Sequence, residues 1–302
     1  MKRISIARDH EVLSLITGVT YATVPAWYGA TRRDLKLDII VPKDRTNHPK
    51  LPCIVWICGG AFMVNDRSVW IPEMMDYARA GYIVASVEYR TSNDAGFPEQ
   101  LMDIKAAIRF LRAHAEEFCL DTERFAVMGE SAGGTLASLT GVTGGQKEYD
   151  AGDWLEYSSG VQAVVDYYGV TDFTLRMERD ADAAAAASSA ADSGAEGQDE
   201  EGIVPDYAMA AFLGSGRRGR ENLVRASAVK QVTKDTPPFL ILHGENDDLV
   251  DPENSRRMYE ALREVGVRAE FYLAEGAGHG DPLFYQKDME KVVLEFLKEV
   301  LV

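Results

Sequence analysis

Six short stretches of the chain are apolar at nearly every position: 51–58, 82–87, 125–128, 163–168, 239–242 and 269–273. A strand with one face in water alternates apolar and polar side chains, whereas a strand covered on both faces does not. These runs therefore predict strands buried on both faces of a mainly parallel sheet. An earlier region alternates instead. Leu35, Leu37 and Ile39 are separated by Lys36 and Asp38, and Pro42 ends the run. With Thr20-Tyr21-Ala22-Thr23 it predicts one or two antiparallel strands, the Leu35 strand being a half-exposed edge.

Helical spacing fills the intervals. Residues 98–118 carry Leu101, Ile104, Ile108, Leu111 and Phe118 near one face. Residues 252–265 begin with proline and stop at Gly266, the residue types favoured just inside and just past a helix. Close to the C-terminus, Met289, Val292, Val293, Phe296 and Val300 share a face. Strands alternating with helices imply right-handed βαβ units, hence an α/β fold with helices on both faces of the sheet. The 302 residues are read as one domain, 1–302. An insertion over about 172–235, ahead of the strand at 239, is expected above the sheet's C-terminal edge as a candidate lid. Within it, 180–202 has no large apolar side chain and six or more acidic ones, which predicts a flexible acidic surface loop. A solvated alanine helix over 181–191 is the alternative. No internal repeat is visible.

Composition narrows the partners. The formal net charge is −16, so nucleic acid and anionic membranes, which need basic surface, are not expected to bind. No run of about 18 apolar residues and no signal segment is present, which predicts a cytoplasmic protein. Cys53, Cys58 and Cys119 give neither a disulfide framework nor metal spacing, and no metal or organic cofactor is expected. The oligomeric state stays open, a homo-oligomer included.

The chemistry centres on Gly129-Glu130-Ser131-Ala132-Gly133, set between the 125–128 strand and a small-residue helix. In such a tight strand-to-helix turn a serine hydroxyl stands clear of the sheet, and flanking glycines avoid Cβ clashes. The helix N-terminus that follows suits an oxyanion. Of the five histidines, His279 lies in Gly276-Ala277-Gly278-His279-Gly280, a flexible loop after the last strand, where open α/β sheets place their sites. It is the expected general base for Ser131. His10, His48 and His114 read as structural or exposed, and His243 as a strand-end histidine held by local hydrogen bonds. Asp247 is the expected acid, following the previous strand, with Asp248, Glu245 and Glu275 as rivals. The order Ser131, Asp247, His279 matches one known arrangement of a catalytic triad. Backbone N–H groups of Gly60 and Ala61, in the loop after the 51–58 run, are expected to join that of Ala132 as an oxyanion hole.

These stretches together resemble the α/β-hydrolase fold. Cys58-Gly59-Gly60-Ala61-Phe62, Gly129-Glu130-Ser131-Ala132-Gly133-Gly134, His243-Gly244-Glu245-Asn246-Asp247 and Gly278-His279-Gly280 are similar to its esterase/lipase branch. The similarity is greatest to hormone-sensitive-lipase-like carboxylesterases and to bifunctional feruloyl and acetyl-xylan esterases. It runs from about Tyr21 to the C-terminus, less the acidic stretch. It implies a serine carboxylic-ester hydrolase releasing short acyl (acetyl) or feruloyl groups from a small ester or an acylated saccharide. It also favours Asp247, four residues after the strand-end histidine, as the acid. The family usually has histidine where this chain has Cys58, a loop-bracing position. A prolyl-oligopeptidase-type peptidase and a non-enzymatic binding protein on the same fold are the alternatives.

Overall fold

The apolar runs form one eight-stranded sheet in the computed structural model, which describes residues 1–7, 9–175, 206–214 and 216–301. The expected acidic stretch 180–202 lies outside the described residues. In chain order the strands are β1 (Leu13–Ala26), β2 (Thr31–Pro42), β3 (Leu51–Ile57), β4 (Ile83–Val87), β5 (Leu120–Glu130), β6 (Ala163–Tyr167), β7 (Phe239–Gly244) and β8 (Ala269–Ala274). Across the sheet they run β1-β2-β4-β3-β5-β6-β7-β8. The pairs β1/β2 and β2/β4 are antiparallel, and every pairing from β4 through β8 is parallel.

Longer helices connect the parallel strands: α1 (Ile71–Arg79), α2 (Glu99–Ala113) and, after the single turn α3 (Ala115–Phe118), α4 (Ala132–Val142). Then follow α5 (Asp206–Leu213), α6 (Gly216–Arg225), α7 (Glu253–Glu264) and α8 (Lys287–Leu301). The period of two along a strand sorts the core into two layers. Val55 and Val127 face Leu101 and Ile104 of α2, Leu136 of α4 and Met258 of α7. Ile54, Trp56, Ala126 and Met128 face Met74 and Tyr77 of α1 and Val293 and Phe296 of α8. Each such fully buried side chain contributes about 1.5–3 kcal/mol of transfer free energy, which holds the layers together.

Three local expectations need correction. β2 is not an edge strand: β1 covers its outer side, and Leu35, Leu37 and Ile39 are fully buried. The alternation misled because Asp38 is buried too. Its carboxylate lies 2.9 Å from the Arg67 guanidinium and accepts from the Gly18 N–H at 2.7 Å. At the other end, β8 is not covered on both faces. It pairs only with β7, and Tyr272 and Leu273 are each 42% exposed. The helix over 98–118 is broken, since His114 leaves helical dihedrals (φ −105°, ψ 22°) and its ring bonds back to the Phe110 carbonyl at 2.8 Å. The short turn that follows ends at left-handed Cys119.

Candidate active site

Ser131 sits where β5 turns directly into α4, with φ 54° and ψ −121°. A non-glycine residue there is strained by roughly 1–3 kcal/mol and persists only because its surroundings hold it. The surroundings are tight. A Cβ on Gly129 would strike the Gly133 carbonyl, and one on Gly133 would strike the Ile57 carbonyl of β3. The two glycines let helix and strand approach closely, and the Ser131 N–H donates to the Tyr167 carbonyl at 2.9 Å. Every residue of α4 is buried, so the turn is anchored on the sheet side.

The loops after β7 and β8 bring two further residues to this point. Ser131 Oγ lies 2.9 Å from His279 Nε2, and His279 Nδ1 lies 2.7 Å from Asp247 Oδ2. Asp247 also accepts from the Leu249 and Val250 N–H groups at 3.0 and 2.8 Å. Burial would raise its carboxyl pKa, but hydrogen bonds from His243, His279 and Val250 prevail and hold it well below the usual aspartate value. An ionised carboxylate only accepts, so the proton of His279 sits on Nδ1. Nε2 is left with a lone pair aimed at the Ser131 hydroxyl. The ring packs edge-on against Tyr168, centroids 4.8 Å apart.

His243 stands behind the acid. Its Nε2 lies 2.8 Å from the Val250 carbonyl and 3.2 Å from Asp247 Oδ2. Both are acceptors, so Nε2 carries the proton and Nδ1 accepts from the Ser255 hydroxyl at 2.6 Å. The rival carboxylates are elsewhere: Asp248, Glu245 and Glu275 are all exposed, and Glu245 accepts from the Gly276 N–H. His10 pairs with Asp9, and His48 with Glu11.

Opposite the serine, the loop after β3 runs through left-handed backbone at Ala61 (φ 52°) and Phe62 (φ 62°). It turns on itself, with the Met63 and Val64 N–H groups donating to the Gly60 carbonyl. Gly60, Ala61, Glu130, Ser131, Ala132 and His279 line one cavity of about 510 Å³, whose apolar wall includes Val64, Val170, Leu249 and Val250. The exposed Tyr207 of α5 also lines it, and Phe212 of the same helix stacks on Phe62 at 3.8 Å. Thus the expected oxyanion donors, Ser131 and His279 share a cavity at the C-terminal edge of the parallel strands, with Asp247 buried behind His279.

Cys58 is buried, and burial followed by the nearby Glu130 carboxylate pushes its thiol up to about 12. It is therefore a thiol and not a nucleophile at neutral pH. Glu130 went unremarked in the sequence, although it occupies the position before the serine. The residue is 9% exposed, and burial raises its carboxyl pKa against the opposing pull of the Gly59 N–H and the Trp70 indole. A carboxylate inside an otherwise apolar strand-turn motif was the available signal, because such a group is costly to bury without donors.

Among the described residues, no group of three or more His, Cys, Asp or Glu side chains is placed to hold a metal ion. No helix among them is long and apolar enough to cross a membrane.

Known proteins bear on this site. The chain is 30% identical to esterase LipC of Mycobacterium tuberculosis over 246 residues, covering 81% of this chain and 56% of that protein. It thus spans about half the length of the curated relatives it matches. Among solved structures, a truncated form of a carbohydrate esterase from gut microbiota superposes with a TM-score of 0.74 at 27% identity, covering 97% of this chain and 98% of that one. The bifunctional GH43-CE protein of Bacteroides eggerthii gives 0.76 at 29% identity, covering 95% and 35%. These neighbours and the sheet order make the fold that of an α/β-hydrolase. The BD-FAE family model matches residues 37–262, three-quarters of the sequence, and the chain belongs to that family.

Proposed function

We propose that the protein is a serine carboxylic-ester hydrolase acting through an acyl-enzyme. The observation that carries this is the continuous chain Ser131 Oγ–His279 Nε2 and His279 Nδ1–Asp247 Oδ2, at 2.9 and 2.7 Å, opening into a cavity. Ser131 Oγ attacks the ester carbonyl carbon as its proton passes to His279 Nε2. Asp247 stabilises the imidazolium and fixes the ring. Negative charge on the carbonyl oxygen is met by the N–H groups of Gly60, Ala61 and Ala132. The tetrahedral adduct collapses, the C–O bond to the alcohol breaks, and the alcohol takes the proton from His279. Water then gives a proton to His279 and attacks the acyl carbon, and the bond to Ser131 Oγ breaks as Oγ takes that proton back and the acid is freed.

Short acyl groups, acetyl foremost, or feruloyl carried on a sugar or other small alcohol are the proposed substrates. The solved neighbour called a carbohydrate esterase, at 27% identity over nearly the whole chain, supports a saccharide alcohol. A cavity of about 510 Å³ with an apolar wall supports a small acyl group or a single aromatic one. The three buried, unpaired cysteines support action in a reducing cytoplasm.

Nitrophenyl esters of increasing acyl length, acetylated xylan, methyl ferulate and a peptide anilide test the proposal together. Turnover of the short ester but not of the anilide is expected. Anilide cleavage without ester turnover would overturn it in favour of a peptidase.

A further inference from the structure

The loop that carries Gly60 and Ala61 holds three consecutive positive φ values, 131° at Gly60, 52° at Ala61 and 62° at Phe62. A strained segment of this kind keeps one geometry only if it is gripped at both ends. Its far end is held by the Ser92 N–H donating to the Phe62 carbonyl at 2.7 Å and by the Phe212 ring on Phe62. Its near end rests on the Tyr89 hydroxyl, which donates to the Cys58 carbonyl at 2.9 Å, and on one carboxylate, which holds Gly59 itself. Glu130 Oε1 accepts from the Gly59 N–H at 2.5 Å and from the Trp70 indole at 3.3 Å, and the Cys58 thiol lies 3.7 Å away. The contact is close enough that a Cβ on Gly59 would overlap both carboxylate oxygens.

Glu130 is also the residue joined to Ser131. The peptide unit that fixes the nucleophile is thus one bond from the side chain that fixes the loop. The Cys58 thiol points to the same carboxylate.

Resting on the esterase proposal above, we infer that Glu130 is a positioning residue. Its carboxylate locks Gly59 so that the Gly60 and Ala61 N–H groups face the carbonyl oxygen of an ester bound at Ser131. The required property is an oxygen acceptor at Oε1, not bulk. Charge is secondary, since an amide oxygen in the same place also accepts from the Gly59 N–H.

Three variants separate these roles. Glu130→Gln keeps the acceptor, Glu130→Met keeps the length without it, and Glu130→Ala removes both. With nitrophenyl acetate, Met and Ala are expected to lower kcat on the order of 10²-fold, the loss typical of one misplaced oxyanion donor, with KM within about threefold. Gln is expected to stay within about fivefold of the parent. Measuring both Met and Ala keeps the comparison if one of them fails to fold, and thermal unfolding identifies that case. Wild-type kcat in a folded Met or Ala variant overturns the inference. So does a Gln variant that falls as far as Met, or a loss confined to KM.

A separate readout guards the underlying proposal. An alkyl fluorophosphonate should transfer its phosphonyl group to Ser131 Oγ with loss of fluoride, raising the mass of the wild-type peptide containing Ser131 accordingly. No label there overturns the esterase proposal itself, whereas label with unaffected Glu130 variants overturns only the role of Glu130.

Discussion

His243 and Asp247, four residues apart, face each other with no solvent access to either side chain, Nε2 to Oδ2 at 3.2 Å. The second oxygen-side partner of Asp247 is therefore a histidine that never meets substrate. His279 and His243 both meet Oδ2 of the carboxylate, while the Leu249 and Val250 N–H groups donate to Oδ1. Asp248, next in the chain, has none of these partners and is exposed.

Asp247→Asn is accordingly expected to lower kcat about 10⁴-fold, because an amide favours the wrong imidazole tautomer. Asp248→Asn is expected to lose less than tenfold. Steady-state kinetics on one ester decides, and the reverse pattern would move the acid to Asp248.

The same carboxylate makes stability depend on pH. Its folded pKa is depressed below the unfolded value, so ionised Asp247 stabilises the fold in full above the ordinary aspartate value of 3.8. That contribution declines as pH falls below 3.8 toward the lower folded value. The gap in melting temperature between wild type and Asp247→Asn should be constant near neutrality and shrink in that acid range. A gap that widens on acidification would contradict the assignment.

Ser131→Ala is expected to remove 10⁴- to 10⁶-fold of kcat, roughly the loss seen when a triad nucleophile is deleted, without lowering the melting temperature. Ser131→Gly should be as inactive, yet more stable than the alanine variant by about 1 kcal/mol, since glycine relieves the positive φ. Chemical denaturation of the pair measures this, and equal stability would show that the turn is unstrained.

Gly133→Ala places a methyl against the backbone of Ile57 and Cys58, which has no flexible side-chain end to give way. A loss of about 1–3 kcal/mol, or insoluble protein, is expected from such overpacking. Unchanged stability and activity would mean that α4 can slide on β3.

Iodoacetamide at pH 8 should leave ester hydrolysis intact. The Cys58 thiol is buried and raised to about 12, so hardly any thiolate exists to react. Inactivation with alkylation mapped to Cys58 would show that the loop opens far more than this geometry allows.

The parallel strands were legible because covering a strand on both faces leaves a nearly unbroken apolar run, as in Leu51–Ile57. β2 was not legible as an interior strand. Lys36 and Asp38 looked like a wet face, and only the distant Arg67 and Gly18 make a buried Asp38 tolerable. The break at His114 was equally hidden, since a single residue's dihedrals leave no mark on a helical pattern. In the candidate site, Ser131 and His279 stand out in the sequence because glycine-rich turns after strands are recognisable locally, whereas only the spacing of the resemblance favours Asp247 over Asp248, Glu245 and Glu275. Glu130 leaves only one local mark, a carboxylate in an otherwise apolar strand-turn motif, and its partner Gly59 is 71 residues away.

That dispersal has a kinetic consequence. Ser131 and His279 are 148 residues apart in sequence, and the contact needs β5, β6, β7 and β8 aligned side by side. Local helices form early during refolding, while pairings of such long sequence separation form late. Recovery of ester hydrolysis after dilution from urea should therefore trail the far-ultraviolet circular dichroism signal, so that turnover times the closing of the sheet.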